Sequence, residues 1–274
     1  MRMRKAMLVF RKDWLEIRRN WQVILPIVVI PFMFSVLLPV LLMSIPNLAN
    51  IPGTSSGGLE VMIQNLPEHI QDELLGMTDQ QAIVYIMSLY FFAPFFLIIP
   101  LMASSVIASD SFAGEKERKT IEALLATPIS DSELFLGKIL VSFIPAMLVT
   151  VVSFLIYSAV VDLVALTIFN GRLLLPNLVW ILSIFGLAPT LALASIGITV
   201  MISAKVKGFR EAQQISVILL VPILALVFGQ VSGALVFGPL VVAALIGLFA
   251  IIDLIVFQIG LKVFKREKIL SKLA

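Results

Sequence analysis

Residues 112–130 read FAGEKERKTIEALLATPIS, and they stand between two long apolar runs. Six of them are charged: Glu115, Lys116, Glu117, Arg118, Lys119 and Glu122. Ala82 to Ser109, just before, carries no charge at all, and Leu134 to Val161, just after, carries only Lys138. Each run exceeds the roughly 20 apolar residues that a helix needs to cross a bilayer. The pattern of two spans joined by a charged hairpin sets the fold class, and the rest of the chain repeats it.

The whole sequence is 60% apolar with a mean hydropathy of +1.07, whereas soluble domains hold roughly 45–50% apolar residues. A soluble surface cannot be built from this chain, so its solvent is lipid. Length and class together predict one polytopic membrane domain over 1–274. There is no cysteine, which excludes disulfides, thiol nucleophiles and thiolate metal sites. His69 is the single histidine, which excludes a multi-histidine metal site. The opening MRMRKAMLVFRKDWLEIRRNW is too long and too charged for a signal peptide, and the apolar run behind it reads as a retained span.

Six spans are predicted, over 22–44, 82–109, 134–161, 178–203, 214–230 and 239–262. The last two come from one long run that Gly229 to Gly233 and Gly238-Pro239 divide. Lys and Arg fall almost wholly on one side. Seven lie before the first span, four between Lys116 and Lys138, three between Lys205 and Arg210 and five in the tail; Arg172 alone lies on the other side. The positive-inside rule then puts both termini in the cytoplasm. Prolines recur within the spans, among them Pro94, Pro100, Pro145 and Pro189, and predict bent helices whose freed carbonyls are satisfied by neighbours.

Within the cytoplasmic segment 110–133, Gly114 to Ala126 is predicted to form a short helix of good helix formers that Thr127-Pro128 stops. Ser130 with Glu133 makes a capping box that opens the third span. Ile121, Leu124 and Leu125 give the short helix an apolar edge, and mixed charges cover the remainder. A solvated connector needs no such length, whereas a docking contact needs both the ridge and the charges.

GEKERKTIEALLATPIS resembles the cytoplasmic signature of type-2 ABC transporter permeases, similar to the sodium- and drug-exporting members. Gly114, Glu115, Glu117, Thr120, Glu122, Leu124, Leu125, Thr127, Pro128 and Ser130 carry the likeness. Lys119 departs from it, standing where many members have glycine. The resemblance implies that this segment holds a coupling helix seated in a cleft of a separate ABC ATPase subunit. Its contact residues would be Gly114, Glu115, Glu117, Arg118, Thr120, Ile121, Glu122, Leu125, Thr127 and Pro128. It further implies an exporter acting as a dimer with a second copy or a sister permease, in the cytoplasmic membrane of a prokaryote, with ATP and Mg held by the partner ATPase.

Residues 1–21 form a second amphipathic element. Met3, Met7, Phe10, Trp14, Ile17 and Trp21 share one helical face, and Arg4, Arg11 and Arg18 repeat every seven residues. This reads as an interfacial helix, its aromatic face in the headgroup boundary and its cations toward anionic lipid; the resemblance places it beside the ATPase as well.

Nothing in the chain reads as catalytic. There is no P-loop, so ATP hydrolysis is expected on another polypeptide. No cofactor, metal or nucleic-acid site is legible in this chain. Asp253, deep in the sixth span, with Gln258 shortly after it, is the candidate pathway pair, because ionisable groups at that depth are costly. Asp110 and Asp162 read as interfacial ends of spans. The outer loop 45–81 is acidic and lacks Lys and Arg; a helix is predicted in it, opened at Asn65-Leu66-Pro67 and closed by Gly76, with Met62, Leu66, Ile70 and Leu74 on one face. Two other classes fit these features: an ATP-independent secondary carrier or channel working through Asp253, and a non-transporting scaffold or immunity protein using the charged segment as its dock. Glu117→Lys is expected to weaken ATPase docking and transport while leaving insertion and folding intact, which co-purification and transport assays of the variant would measure.

Overall fold

The computed structural model describes residues 3–44, 68–120, 127, 129–232 and 235–263, and these residues contain helices and no strand. That follows from the solvent, because in hydrocarbon every backbone polar group needs an internal partner and a helix supplies its own. The chain runs α1 (Met3–Ile17), α2 (Trp21–Leu41), α3 (Glu68–Leu74), α4 (Asp79–Glu117), α5 (Asp131–Ile168), α6 (Leu178–Ser203), α7 (Phe209–Gln230) and α8 (Pro239–Gly260). All but α1 and α3 are long and apolar enough to cross a membrane. Six such helices make this an all-α polytopic membrane protein.

Two of them outrun the apolar runs that reveal them. α4 has 39 residues and α5 has 38. At about 1.5 Å per residue they would reach about 58 and about 57 Å if straight, against a hydrocarbon layer of about 30 Å. Both therefore project beyond the lipid. The bundle is built around α4, which packs along α5 and α6, while α8 packs on α6 and α1 on α5. Large apolar side chains on the outer faces of α2 and α8, such as Val28, Phe32, Leu248 and Leu254, are exposed.

Three of the four π-helical turns among the described residues share one cause; the fourth, Asp110–Gly114, has no proline behind it. Met33–Leu37, Met87–Phe91 and Ser183–Leu187 are π-helical turns, and a proline follows each within three residues: Pro39, Pro94 and Pro189. Proline offers no N–H to the carbonyl four residues back, and its ring crowds that carbonyl. The carbonyls concerned belong to Ser35, Tyr90 and Phe185, all inside the wide turns. Adding a residue to the turn relieves the clash, so these sites are local widenings of otherwise continuous helices.

On the face predicted for the outer loop, α3 buries Ile70 and Leu74 against the bundle, and Gly76 follows it with φ 84°, a left-handed conformation that glycine adopts without strain. Met62 and Leu66 lie outside the described residues. Next, Thr78 and Gln81 cap the start of α4 reciprocally.

Glycines set the approach of α8 to α6. A Cβ on Gly197 would lie 2.0 Å from Val256 Cγ1, and one on Gly186 would lie 2.5 Å from Ile246 Cδ1. Gly197→Ala is therefore expected to push α8 off α6 and to destabilise the fold by about 1–3 kcal/mol, the usual cost of overpacking. Thermal unfolding of the purified chain checks this, with the exposed Gly247→Ala as the control.

Candidate functional site: a buried ionic joint at the charged end

The capping box that opens α5 is present as the sequence predicts. Ser130 Oγ accepts from Glu133 N at 3.3 Å, and Glu133 Oε2 accepts from Ser130 N at 3.1 Å. Two turns on, Gly137 lets α1 lie directly on α5, since a Cβ there would sit 2.7 Å from Ala6 O and from Val9 Cβ. The face α1 turns to the protein is Ala6, Val9, Asp13 and Ile17, all buried. It is not the Met3–Met7–Trp14 face, which is exposed and points away. Phe10 is partly buried beside Ile17 and Val23. Trp21 opens α2 and is exposed, while Arg4 and Arg11 are exposed on α1 and Arg18 in the turn that follows it.

This docking brings Asp13 to Lys138, and the end of α4 completes the contact. Lys138 is fully buried. Its ammonium donates to Glu115 Oε2 at 2.6 Å, Asp13 Oδ2 at 3.4 Å, Ser111 Oγ at 3.2 Å and the Ser111 carbonyl, and it lies 5.2 Å from the Phe112 ring centre. Ser111 Oγ donates to Asp13 Oδ2 at 2.7 Å. Lys12 closes the other side, paired with Glu115 Oε1, with Asp13 Oδ1 at 3.2 Å and with Glu16 Oε1 at 3.3 Å. The carboxylates of Asp13, Glu16 and Glu115 lie close enough to hold a metal ion, and the Lys12 ammonium sits among all three. Burial works against the charge on Lys12, but Asp13, Glu115 and Glu16 outweigh it and hold its pKa above the ordinary lysine value. A second pairing flanks the first: Arg118 Nη1 donates to Asp110 Oδ1 at 2.9 Å, and Asn20 Nδ2 donates to the same oxygen at 3.1 Å. Burial likewise opposes the Arg118 charge, and Asp110, Glu16 and Glu115 together raise its pKa.

The expected single helix over Gly114–Ala126 is corrected. The helix ends at Glu117, and Lys119 takes φ 58°. Thr120 N donates to Glu115 O at 3.0 Å and Lys119 N to Lys116 O at 3.2 Å, the paired bonds of a Schellman cap with Lys119 in its left-handed position. That position favours glycine, which gives a physical reason for the glycine that Lys119 replaces in the resembling signature.

The expected contact residues therefore divide. Gly114 and Glu115 are buried, so Glu115 acts inside the joint and presents nothing outward. Arg118 and Thr120 are exposed at the tip, with Arg118 also paired inward. Thr127 is a partly buried bend, and Ile121, Glu122, Leu125 and Pro128 lie outside the described residues. Glu117 is exposed, yet its Oε2 accepts from Phe209 N at 2.9 Å and so caps α7 across the chain, while Lys116 Nζ donates to Val206 O at 2.8 Å. Glu117→Lys would thus remove a cap as well as reverse a surface charge, and the expectation that it leaves folding untouched is corrected. Asp110 is buried and paired with Arg118, and Asp162 accepts from Leu174 N and Leu175 N at 2.9 and 3.0 Å. Asp253 and Gln258 are not brought together. Asp253 is half-buried, with Oδ1 sealed and lacking a hydrogen-bond partner, whereas Gln258 is exposed.

Sequence reading assigned Lys138 to the loop cations and passed over Asp13. Two signals were present: one lysine inside an apolar run, which needs a buried counter-charge, and one aspartate on the face of a basic helix. Lys138→Met leaves two buried carboxylates short of a partner and is expected to cost about 3–5 kcal/mol. Adding Asp13→Asn and Glu115→Gln should restore most of it, as a thermal-unfolding comparison of the single and triple variants would show.

The sequence profile of a family described as ABC-2 family transporter protein matches residues 7–237. No curated protein and no solved structure matches the chain.

Proposed function

The chain belongs to the ABC-2 family of transporter proteins and is a multi-pass membrane permease subunit of an ABC transporter, and from that premise we propose how it is driven. It acts as an exporter, in the cytoplasmic membrane of a prokaryote, as a dimer with a second copy or a sister permease. Both termini and the ionic joint face the cytoplasm. Membership implies association with an ABC ATPase; in this reading that subunit is a separate chain that holds the ATP and Mg, and it docks on the tip that follows the joint, around Arg118 to Pro128. The exposed apolar face of α1, with Met3, Met7 and Trp14, rests in the lipid headgroup layer, its arginines toward anionic lipid.

The observation that carries this reading is the joint itself. Glu115, three residues before the tip, is locked to Lys138 of α5 and to Lys12 of α1. A buried pairing of this kind holds three elements in one geometry, so a displacement of the tip is passed to α1, α4 and α5 together. Closure of the ATPase dimer on ATP then moves the charged ends of the longest helices, and the bent spans convert the pathway from one facing to the other.

The test is purification of the tagged chain in mild detergent, with a photo-crosslinking residue at Thr120. A roughly stoichiometric protein with a Walker A motif, crosslinked through position 120, is expected. A chain that is stable and alone in several mild detergents would overturn the reading in favour of an ATP-independent carrier.

A further inference from the structure

About 24 Å along α4 from the joint, counting sixteen residues from Pro94 to Asp110, the helix is at its weakest. Met87–Phe91 is a π turn, and its exit sends Phe92 N–H to Met87 O, so Ser88 O loses the donor an α-helix would give it. Pro94 and Pro100 contribute no N–H, which leaves Tyr90 O and Phe96 O without theirs. Leu97 bonds only three residues back, to Pro94 O at 3.2 Å. An orphaned carbonyl at this depth is expensive unless a neighbour donates to it.

Two neighbours do. Tyr157 of α5 donates its hydroxyl to Ser88 O at 2.8 Å, and Trp180 of α6 donates Nε1 to Leu89 O at 3.0 Å. Both side chains are fully buried. Their rings stack with centroids 4.7 Å apart and planes 24° apart, and Phe96, on the far side of Pro94, meets the Trp180 ring edge-on at 5.2 Å. Asn177 fixes Trp180 in turn by accepting from its backbone N–H at 3.0 Å. One aromatic pair therefore reads the bent form of α4 directly, through carbonyls that a regular helix would keep to itself.

We propose that Met87–Leu97 is the hinge about which the end of α4 turns during transport, and that Tyr157 and Trp180 are positioning residues that hold its bent form through the carbonyls of Ser88 and Leu89. The proposal rests on the coupling reading above and says where the transmitted movement is absorbed. α4 is stiff and internally bonded between Ile98 and Ser109, so a push at the joint travels along it. A π turn at Asp110–Gly114 lies within the joint itself; beyond the Ile98–Ser109 length the next irregularities are at Leu97 and the Met87–Phe91 turn. Straightening there requires Ser88 O to give up its bond to Tyr157, which ties the turn to the position of α5.

The chain has no cysteine, so spin labels can be placed at chosen positions in it and studied in the purified complex with an ATPase whose own cysteines have been replaced. Labels at Gln80 and Leu173, both exposed, report the separation of the ends of α4 and the α5–α6 connection; a single label at Thr120 reports the tip. Trapping the complex with ATP and vanadate is expected to shift the Gln80–Leu173 distance. Tyr157→Phe keeps the ring and removes the bond, and it should raise the shifted population without nucleotide about five-fold, the equilibrium weight of one hydrogen bond of ordinary net strength. Pro94→Ala restores a donor to Tyr90 O and removes the ring that the wide turn accommodates, so it should act in the same direction and raise the shifted population without nucleotide. If Thr120 responds to nucleotide and the Gln80–Leu173 distance does not, the hinge is overturned and the coupling reading stands. Distances unaltered in both variants, with only the unfolding temperature lowered, overturn the positioning role and leave a packing one. If neither label site responds, the coupling reading fails and takes the hinge with it.

Discussion

The ammonium of Lys138 is fully buried, and the charged end of the molecule is organised by the protein groups that surround it. A lone cation inside an apolar helix is costly to bury. Here it is surrounded by Glu115, Asp13, both oxygens of Ser111 and the Phe112 ring. Those partners come from two other elements, so satisfying one charge fixes how α1, α4 and α5 meet. Gly137 permits the approach and Lys138 determines the register. Buried ion pairs of this kind contribute little net stability, but they penalise any arrangement that separates them. The joint is therefore better understood as a constraint on geometry than as a source of stability.

The same physics acts at the other end of α4 with uncharged groups. Prolines remove donors from the helix, π turns relieve the resulting crowding, and the carbonyls left over must be satisfied within the protein. Tyr157 supplies that need at Ser88 O, which the π turn leaves over, and Trp180 adds a donor at the adjacent Leu89 O. In one helix a rigid length between Ile98 and Ser109 thus joins a locked end to a bendable one. A permease subunit has to pass a displacement made in water to a pathway inside lipid, and a stiff rod between a clamp and a compliant turn is suited to that task.

The tip beyond Glu117 is distinguished by its cap. Lys119 occupies a left-handed position where glycine would be relaxed, and this lysine and Thr120 turn the chain away from the axis of α4. Glu117 and Lys116 hold the tip to the Val206–Phe209 turn. The ends of α4, α5 and α7 on the side of the joint are thus connected by side chains that the apolar pattern of the spans does not reveal.

Much of this was legible in the residues alone. Hydropathy separated the six spans because a membrane helix must be apolar over its length, and Ser130 with Glu133, or Gly76 after α3, announced ends whose chemistry is local. The signature over Gly114–Ser130 pointed to the family for the same reason: it is contiguous. What needed the tertiary structure were the partners of groups far apart in sequence. Asp13 and Lys138 are separated by 125 residues and Trp180 and Leu89 by 91, and a charge or a donor in isolation does not say which acceptor it will find. The break after Glu117 was not legible either, since good helix formers follow it; Lys119 turns left-handed there, and Glu117 and Arg118 bond to Phe209 and Asp110. Sequence determined which stretches lie in lipid, because that depends on composition summed over twenty neighbouring residues. Only the fold decided which polar groups neutralise one another there, because that depends on distances that no local pattern encodes.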